Sequence, residues 1–380
     1  MKQHSPTYVD LFSGCGGFSL GAELSGFKNL LSVDIDSTLQ SSYLENFPNS
    51  KPIIADVANF NSWKNRLDGD RPDLIIGGPP CQGFSRIGKG NLDDPRRNLL
   101  LSFFYSVQKL KPTFFVMENV EGLLDKKNVG MLEQALKLVA KEYTFVDPFI
   151  LDSSILEAPT KRKRVFVIGY LKSTGLSLSQ SDFIPHSANE TVTVRDAIYD
   201  LGSPIFQHQK NEHTFSKYKA LRPSKYAKKM RAMPPSGLGN AVSRRKNLEK
   251  MVTGHIGTNH TREVADRFSF TKPGKTEEVS RFPKLSWTGL CPTLRAGTGK
   301  EKGGFQSVRP IHPEEPRVIT PREAARLQGF PDWFFFHSTK WHSFRMIGNS
   351  VSPIVATHVL SVIYKYVLFL AEPEFYKGTA

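Results

Sequence analysis

Four short strand-like runs, each opening at its C-terminal end onto glycine or a carboxylate, constrain the fold of this chain more than any other feature. They are Thr7–Phe12, Leu30–Val33, Ile53–Ala55 and Asp73–Ile76. The first leads into Ser13-Gly14-Cys15-Gly16-Gly17-Phe18, the second into Asp34-Ile35-Asp36 and the third into Asp56-Val57. The fourth leads into Gly77-Gly78-Pro79-Pro80-Cys81-Gln82-Gly83-Phe84-Ser85. Runs apolar on both faces belong inside a parallel sheet covered by helices, and ligands of such sheets bind in the crevice beyond the strand carboxyl ends. The alternation therefore predicts a doubly wound α/β sheet with these tips along one edge. A further apolar strand, Phe114–Met117, would bring Glu118-Asn119-Val120 to the same edge.

Each tip has a chemical reading and a plainer one. The glycines after the first strand allow a tight turn and close approach of backbone to ligand, with free amides at the start of the next helix. A dinucleotide fingerprint would place a third glycine at position 19, where this chain has Ser19, which disfavours a nicotinamide cofactor. Asp34 is a candidate for ribose hydroxyls beside the apolar Ile35; equally, these acids can decorate a helix N-terminus capped by Ser37. Cys81 is either a thiol facing the crevice, stiffened by two prolines, or a small buried hydrophobe. Glu118 is an acid beside that thiol or a solvated strand end.

Residues 82–97 are polar, glycine-bearing and aperiodic, and read as a mobile loop. Helices are predicted over 98–110 and 129–141, with a strand over 145–150. Pro159–Ile168 starts basic and becomes a strand on which Arg162 and Arg164 share a face at period two. A helix begins after Thr320, with Pro321 at its first position and Gly329 as its stop.

Cys15, Cys81 and Cys291 form no C-x-x-C pair, so neither a disulfide framework nor a zinc site is indicated. A cytoplasmic enzyme is expected, since the N-terminus lacks an apolar signal region. Ile354–Leu370 is apolar, but Pro353 at its start and His358, Lys365 and two tyrosines within it predict a buried terminal helix and no membrane span. The net charge is +15, and nearly all of it lies between residues 205 and 318, with 23 Lys and Arg against 9 Asp and Glu there and 28 against 27 elsewhere. From about Thr191 the strand–helix alternation stops, and aromatics interleave with cations at Lys217-Tyr218-Lys219 and Lys225–Arg231. Pro292–Gly299 and Gly303-Gly304-Phe305 read as glycine-rich loops able to enter a groove. Such a concentration points to a nucleic-acid backbone.

In their order these motifs resemble those of the bacterial DNA (cytosine-5)-methyltransferases of type II restriction-modification systems, across almost the whole chain. Asp10–Phe18 is similar to the family's S-adenosylmethionine motif, Gly78–Gln82 to its nucleophile motif and Glu118-Asn119-Val120 to its acid motif. Arg162 and Arg164 match its paired arginines, Arg322–Pro331 its penultimate motif and Gly348-Asn349-Ser350-Val351 its last. The family usually begins the arginine motif with glutamine; Thr160 stands there instead, which puts a local support contact in question.

The resemblance implies a Rossmann-like S-adenosylmethionine-dependent methyltransferase sheet, residues 1–203 plus 343–380, with an inserted target recognition domain, residues 204–342, that carries the short Thr293-Leu294 signature. It implies methyl transfer to carbon 5 of a flipped-out cytosine in a short double-stranded DNA site, leaving S-adenosylhomocysteine. Catalytic roles fall to Cys81 at cytosine C6, Glu118 at N3 and Arg164 at the exocyclic oxygen, with Arg162 beside it. Cofactor contacts are implied for Phe12, Gly14, Gly16, Asn98, Leu100, Asn349 and Val351 at the methionine end. Asp34, Ile35, Asp56 and Val57 are assigned to ribose and adenine, and Pro79 to the same crevice. DNA contacts are implied for Gln82, Ser85, Arg96, Thr293 and Arg295. A monomer without a metal, paired in function with a cognate restriction endonuclease, completes the expectation. A tRNA cytosine methyltransferase and a binding-only homologue are the rival readings; the large basic insert argues against the first, and Cys81, Glu118 and Arg164 together argue against the second.

Overall fold

The computed structural model describes residues 5–80, 98–185, 190–206, 213–297 and 309–371. Cys81, Gln82, Ser85, Arg96 and the loop expected over 82–97 lie outside the described residues. In chain order the strands are β1 (Thr7–Leu11), β2 (Lys28–Asp34), β3 (Pro52–Ile54), β4 (Leu74–Gly77), β5 (Phe114–Asn119), β6 (Tyr143–Asp152), β7 (Thr160–Lys161), β8 (Lys163–Leu171), β9 (Phe215–Lys217), β10 (Met251–Thr253) and β11 (Cys291–Pro292). The helices of the first half are α1 (Gly17–Ser25), α2 (Tyr43–Asn46), α3 (Phe60–Trp63), α4 (Asn98–Leu110) and α5 (Lys126–Lys137). Those of the second half are α6 (Val194–Ile198), α7 (Lys225–Met230), α8 (Ala241–Leu248), α9 (Arg262–Phe270), α10 (Pro321–Gln328), α11 (Lys340–Asn349) and α12 (Pro353–Ala371).

Seven strands form one sheet in the order β3-β2-β1-β4-β5-β8-β6. The pairs from β3 to β5 are parallel, while β8 runs antiparallel to both β5 and β6. The chain winds outward from β1 to β3 and then returns past β1 to β4, so the strand order reverses between β1 and β4. That reversal is where a doubly wound sheet opens a crevice. Leu11 stands level with Val33 and Gly77, and Gly77 with Met117, so the glycine turn, the acidic turn and the proline segment leave from one edge.

Period-two sorting builds the two core faces. Tyr8, Leu74, Ile76, Val116, Phe166 and Ile168 pack with α1 and α12 on one face, and Val9, Leu11, Val33, Ile75, Met117 and Val167 with α4 and α5 on the other. By length and composition α12 is apolar enough to cross a membrane. Its Val355, Ala356, Val359, Leu360, Ile363 and Val367 are nevertheless buried in the core face that contains Tyr8 and Phe18, as a core helix requires.

α4 spans the predicted residues, and α10 carries its threonine cap, reciprocal Glu323 and a left-handed stop at Gly329 (φ 93°). β5 is longer than expected: Glu118 and Asn119 continue the strand because they pair with Phe166 and Val165 of β8. α5 and β6 both start earlier than predicted, at Lys126 and Tyr143. A further core joins Leu20, Tyr43 and Phe47 to Val194, Tyr226, Leu285, Leu294, Phe330 and Ile347, so the basic region packs directly on α1 and α2. Gly239 N–H donating to Asn46 O and Phe335 N–H donating to Asn46 Oδ1 fasten the same contact.

Candidate active site

Antiparallel register explains the central charge pair. Glu118 stands opposite Phe166, and Arg164 is two residues along the same strand, hence on the same face and a diagonal neighbour of Glu118. Arg164 Nε lies 2.9 Å from Glu118 Oε1, with both side chains largely buried. A solvated strand-end glutamate is thereby excluded. Gly78 turns its bare Cα toward this pair: a methyl group built there would sit 3.6 Å from Glu118 Oε2. Asn119 Nδ2 donates to Pro79 O at 3.2 Å and so ties the diproline to the acid strand. The described chain thus carries the nucleophile motif beside Glu118 as far as Pro80, one residue before Cys81.

The other two cysteines have no comparable setting. Burial pushes the Cys15 thiol up to about 12, and it also raises Cys291 well above the ordinary thiol range. Neither supplies thiolate near neutral pH. Cys15 Sγ instead lies 3.0 Å from Ser350 Oγ, a contact between the glycine turn and the last motif.

The crevice beside β1 is shaped by backbone. Phe12 and Gly14 both take left-handed conformations (φ 63° and 53°), and nothing lies within 4 Å of a Cβ built on Gly14, which leaves a space against the turn. Gly16 has no such space, because a Cβ there would strike Phe47. Asp34 lines the opposite wall, its Oδ2 accepting from Gly14 N–H and its Oδ1 from Asp36 N–H, both at 2.8 Å. Burial raises the Asp34 carboxyl above its usual range, against the pull of those two amides. Ile35 beside it is 67% exposed. No helix begins at Ser37; residues 37–42 turn, with Asp36 Oδ1 accepting from Thr38 and Leu39 N–H, and α2 starts at Tyr43. An exposed apolar face, a carboxylate and an open glycine turn fit a nucleoside-bearing methyl donor. Asp56 is exposed, whereas the side chains of Val57 and Leu100 are in the core, so these two can line the crevice only through backbone. Asn98 and Asn349 are exposed, and Pro79 and Val351 are buried.

The paired arginines divide their work. Arg162, 2% exposed, donates to Leu294 O (3.2 Å), to Gly348 O and to Ser350 O (2.8 Å). These bonds tie Gly348 and Ser350 to Leu294 of the basic region. The structure corrects the expectation that Arg162 and Arg164 share one face of a single strand: β7 ends at Lys161 and β8 starts at Lys163, and Arg162 sits in the break. Thr160, where the family has glutamine, donates its hydroxyl to Cys291 O at 3.1 Å, supporting the parallel pair of β7 and β11. Thr293 Oγ1 donates to Lys161 O at 2.6 Å, so its hydroxyl braces the same join, while Arg295 is exposed.

One contact had no signal in the sequence. Arg345 of α11 forms an ion pair with Asp36, joining two walls of the crevice across 309 residues. Burial acts to raise Asp36, but Arg345 and the Leu39 and Thr38 amides outweigh it and hold its carboxyl below the usual range.

A profile of the C-5 cytosine-specific DNA methylases matches residues 7–365. The chain is 41% identical over 372 residues to the type II methyltransferase M.XorII of Xanthomonas oryzae pv. oryzae, covering 95% of this chain and 85% of that protein. It is 31% identical over 385 residues to M.DdeI of Desulfomicrobium norvegicum, with 92% and 86% covered. A protein of an E. coli prophage, described as a DNA modification methyltransferase, superposes with a TM-score of 0.85 at 41% identity, covering 96% and 99% of the two chains. The S. pombe Dnmt2 methyltransferase shares the fold, with a TM-score of 0.60 at 16% identity and 95% and 99% covered. With the family's profile spanning nearly all of its sequence, the chain belongs to the C-5 cytosine-specific DNA methylases and is a DNA (cytosine-5-)-methyltransferase of the type II restriction-modification kind.

Proposed function

We propose that the chain methylates carbon 5 of a cytosine flipped out of a short duplex DNA site, with Cys81 as nucleophile. The observation that carries this reading is the Glu118–Arg164 pair beside Gly78-Pro79-Pro80, a carboxyl and a guanidinium set next to the strand tip from which Cys81 follows. Carbon 5 of cytosine is a weak nucleophile. Addition of the Cys81 thiolate at carbon 6 forms a sulfur–carbon bond and drives the ring's double-bond electrons onto carbon 5. Glu118 holds a proton at N3 as charge develops there, and Arg164 holds the exocyclic oxygen. Once carbon 5 carries the methyl group, a base removes its proton, the carbon–sulfur bond breaks and Cys81 is released. Flipping the base costs a few kcal/mol of pairing and stacking.

S-Adenosylmethionine, when bound, supplies an electrophilic methyl group and leaves as S-adenosylhomocysteine. Asp34 would hold its ribose, Ile35 would pack on adenine, and the open turn at Phe12–Gly14 would receive the methionine end, with Asn349 and Val351 closing it. Residues 1–203 plus 343–380 act as the catalytic domain and 204–342 as the recognition domain, which presents Arg295 to DNA. Gln82, Ser85 and Arg96 would meet the DNA beside the flipped base. The enzyme works as a cytoplasmic monomer and protects DNA from a cognate endonuclease.

Labelled methyl transfer into unmethylated plasmid DNA and into tRNA tests the substrate. Transfer into plasmid DNA alone is expected, and transfer into tRNA alone would replace this reading with that of an RNA methyltransferase.

A further inference from the structure

Residues 262–284 pack with Ile311 and Val318 around a small separate core. Phe268, Ile311 and Val318 are buried together with Val264 and Phe282 against them, apart from the three larger cores. The C-terminal carbonyls of α9 are capped from within, since the buried Lys284 Nζ donates to Phe268 O at 2.9 Å. The chain then folds back on itself: Gly274 N–H donates to Lys284 O, Lys284 N–H to Lys275 O and Glu277 N–H to Phe282 O. Inside the turn the buried Glu277 carboxylate accepts from Val279 N–H (3.2 Å) and from the Ser280 N–H and hydroxyl, with Arg267 Nε 3.3 Å away. The tip is therefore held rigid by its own carboxylate.

What this rigid element presents outward is unsuited to solvent. Phe270 is 86% exposed although Phe268, two positions before it on the same helix, is buried, and Val279 at the tip is 68% exposed. Lys272, Lys275 and Arg281 are exposed on the same segment, against one exposed acid between positions 272 and 281, Glu278. Arg281 takes a left-handed backbone conformation (φ 60°), uncommon for a residue with a side chain and maintained here at the base of the tip. The surrounding region, residues 205–318, has 23 basic against 9 acidic residues. Apolar side chains standing out of a cationic surface suit a duplex, where phosphates meet the cations and apolar groups pack on thymine methyls or wedge between base steps.

We infer that this hairpin tip and Phe270 form a DNA-contact surface, in which Phe270 and Val279 pack on bases, Arg281 reads a base edge and Lys272 and Lys275 meet phosphates. The inference rests on the reading that residues 204–342 receive DNA.

The test uses the full chain carrying Phe270→Ala, Val279→Glu or Arg281→Ala. Methyl transfer into unmethylated plasmid DNA, the KM for S-adenosylmethionine, thermal melting and sedimentation are measured for each. Each variant is expected to lower kcat/KM for DNA about tenfold, the scale of a lost base contact. The cofactor KM and melting temperature stay at wild-type values, because the altered side chains are exposed. Unchanged kcat/KM for DNA in all three variants would overturn the inference. A loss that tracks dissociation of a self-associated form would overturn it too, and would make the surface a contact between copies. Failure of the wild-type chain to methylate plasmid DNA would instead strike the substrate reading itself, so the two failures are told apart.

Discussion

Glu118 and Arg164 meet through strand register, and the consequence belongs to single atoms. In the proposed mechanism Glu118 serves the cytosine ring only if it can carry a proton, so Glu118→Gln keeps the shape and removes the acid. We expect kcat to fall by about 10²- to 10⁴-fold with the KM for S-adenosylmethionine unchanged, measured by steady-state methyl transfer. A variant with wild-type kcat would remove Glu118 from the chemistry. At this scale the sequence was readable where a residue type stood at a strand tip, as with Glu118 and Asp34. It did not separate the surroundings of Arg162 and Arg164, because two arginines at period two look alike in sequence while a break between β7 and β8 turns one of them to backbone carbonyls.

Elements are joined here by contacts that local pattern cannot reveal. The turn after β2 and the helix α11 are brought together by Asp36 and Arg345, 309 residues apart. A partly exposed ion pair of this kind contributes about 1 kcal/mol. Arg345→Ala should therefore raise the KM for S-adenosylmethionine about fivefold and leave kcat near wild type. Exchanging the two charges, Asp36→Arg with Arg345→Asp, should recover part of that loss. A cofactor KM that ignores all three changes would show that the pair does not shape the crevice. The strands and long helices were legible because apolar period and flanking glycine or proline fix them locally. β5 outran its apolar run because pairing with β8, a tertiary event, carried Glu118 and Asn119 into the sheet.

Across the whole molecule, charge is sorted rather than spread. Outside residues 205–318 basic and acidic residues nearly balance at 28 against 27, so the field that attracts a polyanion comes from one region. Binding of the full chain to plasmid DNA should weaken steeply with salt, with log affinity falling linearly against log salt concentration. A flat response would deny phosphate contacts to that region. The sequence located this region by counting, but not how it attaches: Leu20, Tyr43 and Phe47 share a core with Leu294 and Ile347, which no linear pattern announces. The most direct test of the central claim, nucleophilic addition by Cys81, uses DNA in which 5-fluorocytosine replaces cytosine. Fluorine at carbon 5 cannot leave as a proton does, so the enzyme should stay bonded to the base. In the presence of S-adenosylmethionine, the wild-type chain is predicted to form a protein–DNA complex that survives denaturing electrophoresis, and Cys81→Ala to form none and to methylate ordinary DNA not at all. Normal methyl transfer by Cys81→Ala, or a wild-type enzyme that turns over without ever being trapped, would contradict the account.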